Sequence, residues 1–200
     1  MRNAFAEKIT SLAEKNNNVV LIMADIGNHL FDKFKEKYPN RFFNSGISEA
    51  HMISMAAGLS SCGYLPICYT ITPFATTRFL EQIKVDICYH NMNMILVGTG
   101  SGFSYASLGA THHSFEDIAI LKVLPNMKIL CPGDSIEVKA SLEMMIANPS
   151  IYYLRIGKKN EPIINNKVPK IETGKFNIIE KGNEVALLSF GNILPLSEKI

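Results

Sequence analysis

The chain has 200 residues, 47% of them hydrophobic, and a formal net charge of +2. That is enough apolar material for one well-buried domain with a small appendage, and it leaves no electrostatic case for nucleic acid or an anionic membrane as partner. No apolar run approaches the ~20 residues of a membrane span, and the four cysteines show no Cys-x-x-Cys pair and no zinc spacing with histidine, so they read as reduced, mostly buried thiols of a cytoplasmic protein.

In chain order, residues 1–18 carry charges throughout but place Phe5, Ile9, Leu12 and Ala13 on one face, an amphipathic helix and not a leader peptide. Six apolar strand candidates follow, at 19–24, 41–44, 65–69, 93–98, 127–131 and 151–154. Helical patterns fall between them at about 31–37, 49–61, 75–90, 115–123 and 135–147. Asp134 and Glu137 have the spacing of a capping box at the start of the last helix. Strands this continuously apolar are buried on both faces, so the alternation predicts an α/β fold with a mainly parallel sheet and helices on both faces. Composition shifts after Gly157: residues 158–175, with two prolines and several Lys and Asn, read as an exposed linker. Two strand patterns follow at 176–180 and 184–190, then a helix start at 195–200.

The most informative stretch is Gly46-Ile47-Ser48-Glu49-Ala50-His51-Met52. Glu49 stands where a strand turns into a helix, and no other Asp or Glu occurs from Gly46 to Pro73. Such an acid is ordinary at a helix start, where the macrodipole and a cap at Ser48 favour it. A lone carboxylate among apolar neighbours such as Ile47, Met52 and Ile53 also suits proton sharing with a ligand, because water is kept away.

The series RFFNSGISEAHMISMAAGLSSCGYLPICY, TPFATTRFLEQIKVDI, GATHHSFEDIAIL, PNMKILCPGD and IYYLRIG resembles the pyrimidine-binding domain of transketolases, in particular the separate C-terminal subunit of two-subunit transketolases, over roughly residues 1 to 160. The resemblance implies a pyrimidine-binding domain over 1–157, the linker 158–175, and over 176–200 the start of a third α/β domain, with a natural subunit longer than this chain. It implies thiamine diphosphate as cofactor and transfer of a two-carbon ketol unit between sugar phosphates or related sugars. Glu49 matches the glutamate that hydrogen-bonds N1′ of the aminopyrimidine ring, and Phe74 the phenylalanine that packs against that ring. Asp25 is a further cofactor contact by the same resemblance. His112 matches a histidine facing the cofactor amine and the substrate, a role suited to a side chain that titrates near neutral pH. Arg155 matches an arginine that grips substrate phosphate. Arg78, Glu81 and Gln82 match the family helix that follows Phe74, with roles at an interface or behind the site. No Gly-Asp-Gly…Asn motif for Mg²⁺ and diphosphate occurs in the chain. A partner subunit that holds the diphosphate is therefore implied, in a homodimer or heterotetramer, with Mg²⁺ held mainly by the partner and no metal site here.

The chain departs from the family between Gly98 and Leu108. Many transketolases have a histidine at Gly100 and an acid near Leu108, and a second phenylalanine at Ile71. Two groups that read sugar hydroxyls are missing, which points away from the ordinary pentose phosphates and towards an unusual sugar, with His29, Ser104 or Tyr105 as substitutes. Gly98-x-Gly100-x-Gly102 does not fit the dinucleotide fingerprint, since Phe103 takes the third glycine's place. The β subunit of a 2-oxo acid dehydrogenase and a noncatalytic assembly subunit remain the alternatives.

Overall fold

The computed structural model describes residues 1–27, 29–158 and 160–200. Lys159, within the expected linker, lies outside the described residues. Helix α1 (Arg2–Lys15) leads to β1 (Val19–Met23), α2 (Asp32–Lys37), β2 (Phe42–Asn44), α3 (Glu49–Ser61) and β3 (Leu65–Ile71). Two 3₁₀ turns, Thr72–Ala75 and Thr77–Phe79, precede a helix, α4, that starts as Leu80–Gln82 and widens to a π-helix over Ile83–Tyr89. Then come β4 (Met94–Thr99), α5 (Asp117–Lys122), β5 (Lys128–Leu130), α6 (Ser135–Ala147), β6 (Ile151–Ile156) and the short α7 (Leu194–Ser197). No helix among the described residues is long and apolar enough to cross a membrane.

The six strands form one sheet in the order β2-β1-β3-β4-β6-β5, and every pair is parallel. Side chains alternate across it. Leu21, Ile67, Tyr69, Ile95, Val97, Tyr152 and Leu154 face one core with Phe5 and Ile9 of α1, Phe34 of α2 and Leu142 of α6. Ile22, Cys68, Leu96, Ile151 and Tyr153 face the other with Met52 and Ile53 of α3, Ile83 and Ile87 of α4 and Leu121 of α5. Both faces are covered, as continuously apolar parallel strands require. The chain runs outward from β1 to β2 and returns across β1 to β3. The strand order therefore reverses between β1 and β3, the kind of position at which ligands of open α/β sheets bind, beyond the carboxyl ends of the strands.

Three expectations need correction. The helix expected over 75–90 is broken at its start. Pro73 has no N–H to give, and Thr76 lies outside the helical region at φ −129°, ψ −75°. The Thr76 hydroxyl donates to the carbonyls of Thr72 (3.2 Å) and Pro73 (3.3 Å), and that of Thr77 to Pro73 (3.2 Å), in place of backbone bonds. Residues 176–190 contain no strand; a lone ribbon without a covering layer is marginal in water, and Ile178, Val185 and Leu188 are exposed. The stretch after Gly157 is not uniformly exposed, because Ile164 and Asn165 are buried.

Asp134 accounts for that burial. Its Oδ1 accepts from the amides of Ile136 and Glu137 (both 2.9 Å), capping α6. Its Oδ2 accepts from the amides of Ile164 (2.9 Å) and Asn165 (2.8 Å) and from Asn165 Nδ2 (3.0 Å). Glu137 completes the cap by accepting from the Gly133 amide at 2.7 Å. Burial pushes the Asp134 carboxyl up, but the donors from Asn165, Glu137 and Ile164 outweigh it and hold it below the usual carboxylate range. The stabilisation it gives is complete above the ordinary carboxylate pKa and is lost as pH falls through Asp134's own lower value. Asp134→Ala is expected to lower the unfolding free energy by roughly 2–4 kcal/mol and to flatten the acid side of the stability curve, both read from urea melts across pH. A variant that unfolds at the wild-type urea concentration would show that the cap is dispensable.

Candidate active site

The loops at the carboxyl ends of β1, β2, β3 and β4 hold most of the residues in question. Asn44, the last residue of β2, ties two of them together. Its Oδ1 accepts from the amides of Asp25 (3.1 Å) and Gly46 (2.9 Å), and its Nδ2 donates to Asp25 Oδ1 (2.8 Å). Asp25 takes a left-handed conformation, φ +50°, which a short polar side chain tolerates. Gly46, at φ +71°, turns the chain into α3. Ser48 stands at the N-cap, yet its side chain makes no cap bond, contrary to expectation. Only its carbonyl serves the helix, accepting from the Met52 amide at 3.0 Å.

Glu49 is thereby set at the first position of α3, 3% exposed. Met52 and Ile53 are fully buried, whereas Ile47, expected among the shielding residues, is 80% exposed. The carboxylate has a partner that the sequence reading did not pair with it. Arg78 Nη1 donates to both of its oxygens, at 2.8 and 2.9 Å. The guanidinium also lies 4.0 Å from the centroid of the Phe74 ring, a cation–π stack. Phe74 is half-buried, unlike the core Phe79 close by, so its ring is presented and not packed away. The His112 ring meets Phe74 edge-on at 5.1 Å between centroids, and its Nδ1 lies 3.0 Å from Thr111 Oγ1. Tyr105 follows, its ring 6.0 Å from that of His112 and under Lys158 Nζ at 4.1 Å. Glu49, Arg78, Phe74, His112 and Tyr105 thus form one continuous row.

The departure at Gly100 has a steric counterpart. With φ at +77°, a Cβ there would stand 2.0 Å from the Tyr105 ring. Tyr105 fills the space that a residue-100 side chain would take. Ser104 is turned inward on its own loop, donating to the Ser101 carbonyl at 2.7 Å.

The other expected residues lie apart from this row. Asp25 and His29 line a cleft of about 530 Å³ with Met23, Gly27, Lys35 and Asn44. The His29 side chain is 82% exposed, with Nδ1 2.8 Å from Asp32 Oδ2. Glu81 is exposed and Gln82 half-buried on α4. Arg155 is 9% exposed on β6. Its Nε donates at 2.7 Å to Oδ2 of the fully buried Asp117, which also accepts from the Tyr153 hydroxyl at 2.8 Å. Burial and the Asp117 charge push the Tyr153 hydroxyl far above its usual range. Sequence reasoning missed Asn44, Asp117 and the Glu49 pairing of Arg78. Only the last left a signal, a cation four residues after Phe74 in a stretch that follows the otherwise acid-free segment around Glu49. Among the described residues, no three His, Cys, Asp or Glu side chains gather to hold a metal ion.

A buried carboxylate beside an offered aromatic face selects a flat group that carries an N–H donor. An apulose-4-phosphate transketolase subunit of Actinobacillus succinogenes is 31% identical over 193 residues, covering 96% of this chain and 62% of that protein. A 6-deoxy-6-sulfo-D-fructose transketolase subunit of Clostridium sp. is 28% identical over 192 residues, covering 96% of this chain and 60% of that protein. The chain therefore spans about six-tenths of the length of these relatives. A solved structure described as a split gene transketolase, inactive beta4 tetramer, superposes with a TM-score of 0.90 at 29% identity, over 99% of this chain and 64% of that one. Residues 1–162 match the family described as transketolase, pyrimidine binding domain. With its all-parallel six-stranded sheet and a glutamate at the first turn of α3, the chain belongs to the family of transketolase pyrimidine-binding domains.

Proposed function

We propose that this chain is the pyrimidine-binding half of a thiamine diphosphate-dependent transketolase that moves a two-carbon ketol unit between sugar phosphates or related sugars. The carrying observation is the Glu49 carboxylate, 3% exposed, engaged by a planar N–H donor stacked on the half-buried Phe74 ring. That carboxylate and aromatic face fit the aminopyrimidine end of the cofactor. When bound, thiamine diphosphate supplies the carbon nucleophile and electron sink for breaking and making a bond beside a carbonyl. Glu49 accepts a hydrogen bond at ring N1′ and holds a proton there, with bulk water excluded. Phe74 packs against the ring plane, and Asp25 serves as a further cofactor contact. His112, with Nδ1 engaged by Thr111, turns Nε2 to a substrate oxygen. Asp117 holds Arg155 by Nε, and among the described residues the two terminal nitrogens make no hydrogen bond, which leaves them for a substrate anion.

The diphosphate and its Mg²⁺ belong in this reading to a partner subunit, with the site at the interface of a homodimer or heterotetramer. The sequence carries no diphosphate motif, and two relatives are named as subunits. The filling of residue 100's space by Tyr105 supports an acceptor or donor outside the ordinary pentose phosphates. His29 lines the cleft beside Asp25 and is offered to the same substrate.

In the complex with a diphosphate-binding subunit, Glu49→Ala is expected to abolish ketol transfer while the far-ultraviolet circular dichroism and subunit association persist. Near wild-type turnover in that variant would remove Glu49 from the mechanism. Phe74→Ala is expected to weaken cofactor binding with little loss of stability without cofactor. A core phenylalanine would instead cost about 3–5 kcal/mol, so thermal melts with and without thiamine diphosphate separate the two.

A further inference from the structure

The Glu49–Arg78 pair is asymmetric. The glutamate side chain is 3% exposed and the arginine 43%. Among the described residues, Arg78 is the only side chain that donates to this carboxylate. It belongs to the 3₁₀ turn Thr77–Phe79, which is pinned by Phe79 in the core and by the Thr77 hydroxyl on the Pro73 carbonyl. Its backbone is therefore fixed, while the long side chain can rotate into solvent without disturbing packing.

The guanidinium reproduces the recognition elements of a protonatable amino-heterocycle. It is flat, it lies 4.0 Å from the Phe74 centroid, and it gives N–H bonds to both Glu49 oxygens. A carboxylate shut away from water without a partner is costly. Something must satisfy Glu49 before any ligand arrives, and that partner must then yield.

We propose that Arg78 is a displaceable stand-in for the pyrimidine ring: it satisfies Glu49 and covers Phe74 before the ring binds, and swings into solvent as the ring enters. This rests on the reading of the site given above. It makes Arg78 a gating residue that stabilises the ligand-free chain at the expense of cofactor affinity. The competing geometry keeps Arg78 in place, sharing the four lone-pair positions of the carboxylate with the ring.

The test uses the complex of this chain with a diphosphate-binding subunit, carrying wild-type Arg78, Arg78→Gln or Arg78→Lys. Thiamine diphosphate with Mg²⁺ is the probe, read by calorimetry and thermal melts. Without cofactor, Arg78→Gln is expected to melt roughly 2–4 °C below wild type. Its cofactor-induced rise in melting temperature is expected to be larger than in wild type, and its Kd about three- to tenfold lower, the factor that a partly exposed ion pair of about 1 kcal/mol converts to. Arg78→Lys, which keeps the charge but cannot stack as a plane, is expected to fall between the two, and it answers the question if the Gln variant does not fold. A Kd equal to or weaker than wild type in both variants would overturn the proposal and favour the shared geometry. No cofactor binding to the wild-type complex would overturn the functional reading and this proposal with it.

Discussion

Keeping a carboxylate out of water is the constraint on which the rest of this site depends. Glu49 is 3% exposed at the first turn of α3. A group so placed must be met by a charge or by N–H donors, or it will not stay ionised and buried. Every neighbouring feature bears on that demand. The helix N-terminus contributes its partial positive charge, Arg78 contributes two hydrogen bonds, and the buried start of α3 at Met52 and Ile53 excludes solvent.

The sheet topology brings that carboxylate into company. β2 lies at one edge, and the chain must cross β1 to reach β3, so the loops after β1, β2 and β3 converge at one end of the sheet. Asn44 links the first two through Asp25 and Gly46, and threonine hydroxyls hold the third in tight turns. From these turns Arg78 reaches both Glu49 and the Phe74 ring, and the loop after β4 brings His112 against Phe74. Arg155 lies on β6, beside Gly98 in the register of β4 and β6, in a buried cluster of its own with Asp117 and Tyr153.

Much of the fold was legible because its strands are apolar on both faces. Val19 to Met23, with no polar residue, has no place except inside a covered sheet, and the six strand positions emerge within a few residues of those expected. The Asp134–Glu137 spacing announced its cap, although not the second set of donors from Ile164 and Asn165. What stayed hidden depends on side chains acting over distance. Thr76 and Thr77 read as ordinary helix residues until their hydroxyls are seen taking over backbone carbonyls. Asp117 looks like any acid at a helix start, and its partners lie 36 and 38 positions away. The strand patterns at 176–190 satisfy the two-residue period, but periodicity does not supply the layer a ribbon needs to pack against. Among the site residues, the motif around Glu49 pointed to its burial, while its pairing with Arg78 spans 29 positions and leaves no local pattern.

The central claim is that this chain holds the pyrimidine end of the cofactor and depends on a partner for the diphosphate end. Calorimetric titration of thiamine diphosphate, with and without Mg²⁺, into this chain alone and into its complex with a diphosphate-binding subunit tests that division directly. The account predicts weak, magnesium-independent binding to the isolated chain and tight, magnesium-dependent binding to the complex. Micromolar or tighter magnesium-dependent binding by the isolated chain would contradict it.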